Sequence, residues 1–156
     1  MIRVAAAQSD GLVVVAAVMS AGEEGHTALA QAGGIRVSMQ GVHCHESVVA
    51  VQCVGLRAMS AMASNEEVAA LVLKEGGVDA VFASLRLFNS DPPTTAAASL
   101  ALVRLTRQHP VITAGMLPDD WEALCEKAVV AYGSTFSIAD HIHEAVPVLR
   151  QYYEAA

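Results

Sequence analysis

Aromatic residues and charges are both scarce in this sequence. Phe, Trp and Tyr together make up 4% of the 156 residues, and charged residues make up 16%. Hydrophobic residues account for 54% of the chain, and alanine alone occurs 29 times. So much apolar surface excludes a disordered chain, which would have to leave that surface in water. Small side chains suit closely packed helices better than sheets, which favour aromatic and β-branched residues. The composition therefore predicts an all-α domain.

Basic residues, cysteine pairs and long apolar runs are lacking as well. Nine Lys and Arg oppose sixteen Asp and Glu, for a net charge of −7, whereas a nucleic-acid partner needs a basic surface. The three cysteines include no Cys-x-x-Cys pair, which favours reduced thiols and a cytoplasmic location. The longest apolar run, Leu12–Met19, is shorter than the roughly 20 residues that cross a bilayer. We expect neither a nucleic-acid nor a membrane partner.

A glycine-containing motif recurs along the chain. Ala32-Gly33-Gly34-Ile35 returns 43 residues later as Glu75-Gly76-Gly77-Val78, and a third glycine, Gly115, arrives 39 residues after Gly76. Recurrence at such an interval is typical of repeat architectures, in which each repeat packs on its neighbours. We predict one helical repeat domain over residues 1–156, with repeats at roughly 10–46, 47–90 and 91–133 and a C-terminal cap at 134–156.

Capping residues mark the ends of the predicted helices. Ser64 and Glu67 have the spacing of a capping box, in which the serine side chain accepts the amide of residue 67. Gly76 follows an apolar segment, and glycine is the residue that adopts a left-handed conformation without steric cost. Asp91 is a natural N-cap, and Pro92 fits the first turn of the helix that follows.

The segments that recur indicate the class of repeat. Ala58–Ala63 and Ala101–Thr106 match an Ala-Leu-x-Asn-Leu-Ala stretch, and the glycine pairs Gly33-Gly34 and Gly76-Gly77 fall at a turn between two helices. In these features the chain resembles the armadillo repeat, whose third helix ends in that stretch and whose first two helices meet at such a turn. The resemblance implies a right-handed α-solenoid (an α-α superhelix) of about three armadillo-like repeats plus an irregular C-terminal helical cap.

The resemblance also implies a binding face. In importin-like armadillo proteins, a Trp and an Asn four residues later line the concave groove, and at those places this chain has other residues. We therefore expect no nuclear-import receptor but a non-enzymatic protein–protein interaction module or scaffold, which binds a partner segment along its concave third-helix face. The residues expected to line that face are Val14, Val18, Arg57, Ala61, Leu100, Arg104 and Arg107.

Arginines on this face suggest the chemistry of the partner. Arg57 and Arg104 would lie on successive repeats, about 8–10 Å apart from helix to helix. Because arginine pairs bidentately with carboxylate and phosphate, an acidic or phosphorylated protein or peptide is expected. The alternative is that these are ordinary solvated charges or ion pairs with Glu66 or Asp91.

Two other functions stay open at this point. Ile2–Gln8 is similar to the opening strand of an α/β hydrolytic enzyme, in which Leu12–Met19 would be a second buried strand. Alternatively, the apolar N-terminal end stacks on further repeats or on another copy, because a terminal repeat normally needs a polar outer face. The chain would then be a structural assembly piece that self-associates.

Motifs for metals, cofactors and catalysis are missing. His43-Cys44-His45 and His141-x-His143 are the only clusters of ligand-type residues, and zinc sites use wider spacings. Neither phosphate-binding pattern, GxxxxGK[ST] or a GxGxxG after a strand, occurs. Cys53 and Cys125 lie in apolar helical patterns, where a free cysteine behaves as a small hydrophobe. We predict a protein that is not an enzyme and that uses no metal and no cofactor.

Overall fold

The computed structural model describes residues 2–20, 22–108, 114–135 and 137–154. Within these residues all regular elements are helical, which confirms the predicted all-α class. The elements are α1 (Ile2–Ser20), α2 (Glu23–Gln31), α3 (Gly34–Cys44), α4 (Val49–Met62), α5 (Glu66–Lys74), α6 (Gly77–Leu87), α7 (Pro92–Gln108), a 3-10 turn (Ala114–Met116), α8 (Trp121–Tyr132) and α9 (Ile138–Glu154). Parts of the predicted third repeat and cap, residues 109–113, 136, 155 and 156, lie outside the described residues.

Helices α2, α3 and α4 have the same spacing along the chain as α5, α6 and α7. Each helix of the second triplet begins 43 residues after its counterpart in the first. The glycine before the middle helix is left-handed in both triplets, with φ of 68° at Gly33 and 83° at Gly76. The same local signals therefore act in both segments.

Four helices form one row of neighbours. α1 packs on α4, α4 on α7, and α7 on α9, while α3, α6 and α8 form a second row that packs on the first. α7 and α9 run in the same direction, because their contacts advance along both helices from Ser99 and His141 to Arg107 and Glu144. The last turn of α4 lies beside α7 at the contact between Ser60 and Arg104. One face of the first row is thus covered by the second row, and its other face is open.

The core lies between the two rows. Leu56 and Met59 of α4, Phe82 of α6 and Leu102 of α7 are all buried to 1% exposure or less. Each such side chain contributes about 1.5–3 kcal/mol through burial of apolar surface. Alanines at helix contacts, such as the fully buried Ala98, allow neighbouring helices to approach closely. This is how a chain with few aromatic residues fills its interior.

A buried glutamine links three helices. Nε2 of Gln52 in α4 donates to the carbonyl oxygens of Val42, at 2.7 Å, and His45, at 3.1 Å. Its Oε1 accepts from the hydroxyl of Ser84 in α6 at 2.9 Å. Because the last carbonyls of a helix have no partner within it, Gln52 acts as a cap for the C-terminal end of α3.

The predicted capping box at α5 is wrong by one residue. The N-cap is Asn65, whose Oδ1 accepts the amide of Val68 at 3.0 Å. The Ser64 hydroxyl instead donates back to a carbonyl in the last turn of α4 at 2.6 Å. The N-cap predicted before α7 is confirmed, because Oδ2 of Asp91 accepts the amide of Thr94 at 3.0 Å.

Two other predictions from the sequence are wrong. Ile2–Gln8 and Leu12–Met19 both belong to α1, so the two strands of the hydrolytic-enzyme alternative are replaced by one helix. Gly115 does not repeat the left-handed turn of Gly76, because it lies in the 3-10 turn. Pro147 lies inside α9, which continues through it.

Among the described helices, none combines the length and hydrophobicity that crossing a membrane requires.

Gly76→Val should lower the free energy of unfolding by about 1–2 kcal/mol, because a β-branched residue is strained at positive φ. An added Cβ would also lie 3.0 Å from Nε2 of His43, which bonds the carbonyl of Glu75. Gly33→Val is a matched control with the same positive φ, where a Cβ would meet nothing within 4 Å. Urea denaturation measures both variants. An unchanged stability of Gly76→Val would contradict the left-handed turn.

Candidate functional site

The open face of the row contains the arginines that the sequence singled out. Arg57 is exposed on α4 and, within the described residues, has no hydrogen-bond or ionic partner. Among the described residues no ion pair joins it to Asp91, whose Oδ2 accepts the amide of Thr94 instead. Arg104 is half-buried on α7, and its Nη1 donates to the carbonyl oxygen of Ser60 at 3.0 Å. This bond ties the last turn of α4 to α7.

A pocket with a volume of about 160 Å³ opens where α4 and α7 end. It is lined by Ala63 and Ser64, just after α4, and by Arg104 and Arg107 in the last turns of α7. Two guanidinium groups thus border one small, solvent-accessible pocket. Because helix C-termini carry partial negative charge, it is the arginine side chains and not the helix ends that make this place attractive to an anion.

Glu144 of α9 forms an ion pair with one of these two arginines, Arg107. Its Oε1 accepts from Nε of Arg107, and its Oε2 accepts from Nη2 at 2.7 Å. The bidentate pair is on the surface, with the arginine side chain 60% and the glutamate side chain 45% exposed. The hydrogen bond from Arg107 lowers the pKa of Glu144, and Glu144 in turn raises the pKa of Arg107. Both groups are therefore charged at neutral pH.

His141, one turn before Glu144 on α9, is the other titratable group here. Its Nδ1 lies 3.2 Å from the hydroxyl of Ser99, which donates to the carbonyl of Ala96. Burial lowers the pKa of His141; the positive charges of Arg107 and Arg104 lower it further, while nearby Asp140 and Glu144 oppose the shift. The imidazole is neutral at pH 7.

The apolar residues expected on the face have different surroundings. Val14 is exposed on α1, with 60% of its surface accessible, and Val18 is half-buried. Ala61 on α4 and Leu100 on α7 are half-buried and pack against the core. The structure therefore brings Arg104 and Arg107 to one pocket, places Arg57 and Ala61 on α4, and leaves Val14 and Val18 on α1.

Comparisons of the chain with family models, with curated proteins and with solved structures find no match. The function must therefore be argued from the residues themselves. Two features of the site bear on it: the positive charge of Arg57, which has no partner within the described part of the chain, and the pocket that the two arginines of α7 border.

A second pocket, of about 230 Å³, lies between α2 and α5. Its lining is a mixture of small polar and aliphatic side chains, namely His26, Thr27, Ala30, Gln31, Asn65, Glu67, Val68 and Leu71. With a carboxylate and no arginine or lysine in that lining, it is a poorer place for an anion than the pocket at the end of α7.

Metal and thiol chemistry have little support in the described part of the chain. No group of three or more His, Cys, Asp or Glu that could hold a metal ion occurs there. Nε2 of His43 instead contacts the carbonyl oxygen of Glu75. Cys125 is buried, and burial, with a smaller contribution from Glu122, raises the pKa of its thiol to about 12. That thiol is protonated at neutral pH, which makes it a poor nucleophile.

Sequence reasoning missed Glu144, His141 and Ser64 as neighbours of the arginines. In the sequence, His141 stands out only as part of a His-x-His cluster with His143. The spacing of His141 and Glu144, one helical turn apart, was a usable signal, because it places both on one side of a helix. The sequence does not show that this side of α9 faces Arg107, because that depends on the packing of α9 against α7.

Proposed function

We propose that the chain is an armadillo-like α-solenoid that acts as a non-enzymatic protein–protein interaction module. The common spacing of the two helix triplets, the left-handed glycine in each and the ordered packing of α1, α4, α7 and α9 support this reading. A right-handed stack of about three repeats with a C-terminal cap would curve the first row into a concave groove. Free thiols at Cys44, Cys53 and Cys125 favour a cytoplasmic location.

The partner that this face fits best is an acidic or phosphorylated protein segment. The observation that carries this proposal is Arg57, an exposed cation in the middle of the row with no partner among the described residues. In a protein with a net charge of −7, a local positive region selects ligands of the opposite sign. Ala61 and Leu100 beside it supply a small apolar surface for the backbone of the segment.

Arg57→Glu should weaken the binding of linear peptides by about tenfold or more, because a complementary charge becomes a repulsive one. Peptides are selected from a random linear 12-residue library on the wild-type protein, and their affinities are measured by fluorescence anisotropy. Arg36→Glu is the matched control, since Arg36 is exposed on α3, in the other row, and is also unpaired within the described residues. If the selected peptides bind both variants equally well, the proposed face is wrong.

Self-association is a second candidate, supported by the outer surface of α1. Val4, Val13 and Val14 are more than half exposed there, at 61%, 53% and 60%. A structural piece that stacks on further repeats or on another copy would cover them. Sedimentation equilibrium over a range of concentrations separates the two functions, because a module that works alone stays monomeric at all of them.

A further inference from the structure

We infer that the pocket between the ends of α4 and α7 binds a phosphate monoester carried by the partner segment, and that Glu144 is a built-in competitor for it. The inference rests on the proposed function and adds the anion and its location. It begins from the pocket of about 160 Å³ lined by Ala63, Ser64, Arg104 and Arg107. No other pocket described above has two cationic side chains in its lining.

The donors of this pocket are incompletely used. A guanidinium group has five N–H donors, and among the described residues one donor of Arg104 is engaged, with the carbonyl of Ser60. The Ser64 side chain is at the surface and its hydroxyl donates within its own turn. It can rotate to meet a ligand oxygen, because a hydroxyl proton moves freely about the C–O bond. An anion in the pocket would thus find donors from both helices.

Glu144 already shows how an anion binds here. It occupies the Nε and Nη2 edge of Arg107, which is the edge that recognises carboxylates and phosphates bidentately. Because Glu144 belongs to the same chain, it competes at a high effective concentration. A carboxylate on a ligand would make the same contact with Arg107 that Glu144 already makes. Exchanging one for the other therefore adds little binding free energy.

A phosphate monoester differs from a carboxylate in the two respects that matter. It carries a charge of about −1.5 to −2 at neutral pH and has three acceptor oxygens. It can therefore pair with Arg104 and Arg107 together, whereas Glu144 is recorded on Arg107 alone. Release of Glu144 leaves two positive charges, those of Arg104 and Arg107, beside the phosphate. The arrangement favours a phosphorylated over a merely acidic segment.

The test compares two small probes, N-acetyl-phosphoserine methylamide and N-acetyl-glutamate methylamide. Each is titrated into the whole protein while the guanidinium Nε–Hε signals are followed by NMR. We expect the phosphoserine probe to shift the Arg104 and Arg107 signals and to saturate, and the glutamate probe to leave them unchanged. Glu144→Gln should tighten phosphoserine binding by about three- to fivefold, the range set by a surface ion pair, and make glutamate binding detectable.

Matched variants separate this effect from a general change of surface charge. Glu122→Gln removes the same kind of carboxylate from another exposed pair, where Nε of Arg150 lies 2.9 Å from Glu122, and should leave the affinity unchanged. Arg107→Gln should abolish the saturable shifts, and Arg150→Gln should preserve them.

The inference is overturned if the phosphoserine probe shifts Arg36 and Arg150 as much as Arg107 without saturation. It is also overturned if Glu144→Gln leaves the affinity unchanged. Selected peptides that depend on Arg57 while the phosphoserine probe fails would keep the proposed function and reject the phosphate pocket. The opposite result would keep the pocket and reject the proposed peptide-binding face.

Discussion

Gln52→Met should lower the free energy of unfolding by about 3 kcal/mol. Methionine fills a similar volume but leaves the Val42 carbonyl and the Ser84 hydroxyl without the partners they have in the structure. Each buried polar group that loses its hydrogen bond costs about 1–3 kcal/mol. The His45 carbonyl adds less, because it also accepts the amide of Val48 at 3.0 Å. Urea denaturation followed by circular dichroism measures the loss.

Two further variants identify the cause of that loss. Gln40→Met makes the same chemical change on the exposed side of α3 and should stay within about 0.5 kcal/mol of wild type. Ser84→Ala removes only one partner of Gln52, so combining it with Gln52→Met should cost less than the sum of the two, as expected for residues in one network. Equal losses for Gln40→Met and Gln52→Met would contradict the capping role of the buried amide.

The features of the fold that depend on neighbouring residues could be predicted from the sequence. Gly76 ends a helix in the left-handed conformation because only glycine does so cheaply, and Asp91 caps α7 because its carboxylate reaches the third amide. Asn65 was overlooked in favour of Ser64, since both residue types cap helices well and only the chain geometry decides between them. Gly115 differs because it lies within a 3-10 turn and not at the end of an α-helix.

Only the arginines of the candidate site could be predicted from the sequence, and their partner on α9 could not. The resemblance to the armadillo repeat implies that Arg57 and Arg104 share one face, and the structure has Arg57 exposed on α4 and Arg104 half-buried on α7. Whether an arginine stays free is a matter of long-range contacts that local patterns do not contain. The sequence leaves open whether the arginines are solvated or paired with Glu66 or Asp91, whereas the partner of Arg107 is Glu144, 37 residues away in sequence. The expected basic strip is thus partly neutralised by Glu144, and we expect Arg57 to contribute more to any binding than the sequence suggested.

Gly25→Ala should destabilise the packing of α1 on α2 by about 2–3 kcal/mol, near the upper end for overpacked contacts. A Cβ at Gly25 would lie 2.0 Å from the carbonyl oxygen of Val18 and 3.0 Å from its carbonyl carbon. These are backbone atoms, which cannot avoid the contact by changing rotamer, so the two helices must separate. Hydrogen exchange should then show faster exchange of the α1 amides, with α7 protected as in wild type.

Gly11→Ala is the matched control for this prediction, and it should have the opposite sign. Gly11 is exposed on α1, where an added Cβ meets nothing within 4 Å, so alanine should stabilise the helix by about 0.8–1 kcal/mol. The pair also tests the proposed binding face, because we expect Gly25→Ala to displace Val14 and Val18 and to leave Arg57 in place. Peptides that engage α4 and α7 should bind this variant normally, and those that reach α1 should lose affinity. Slower α1 exchange in Gly25→Ala than in Gly11→Ala would contradict the close approach of the two helices.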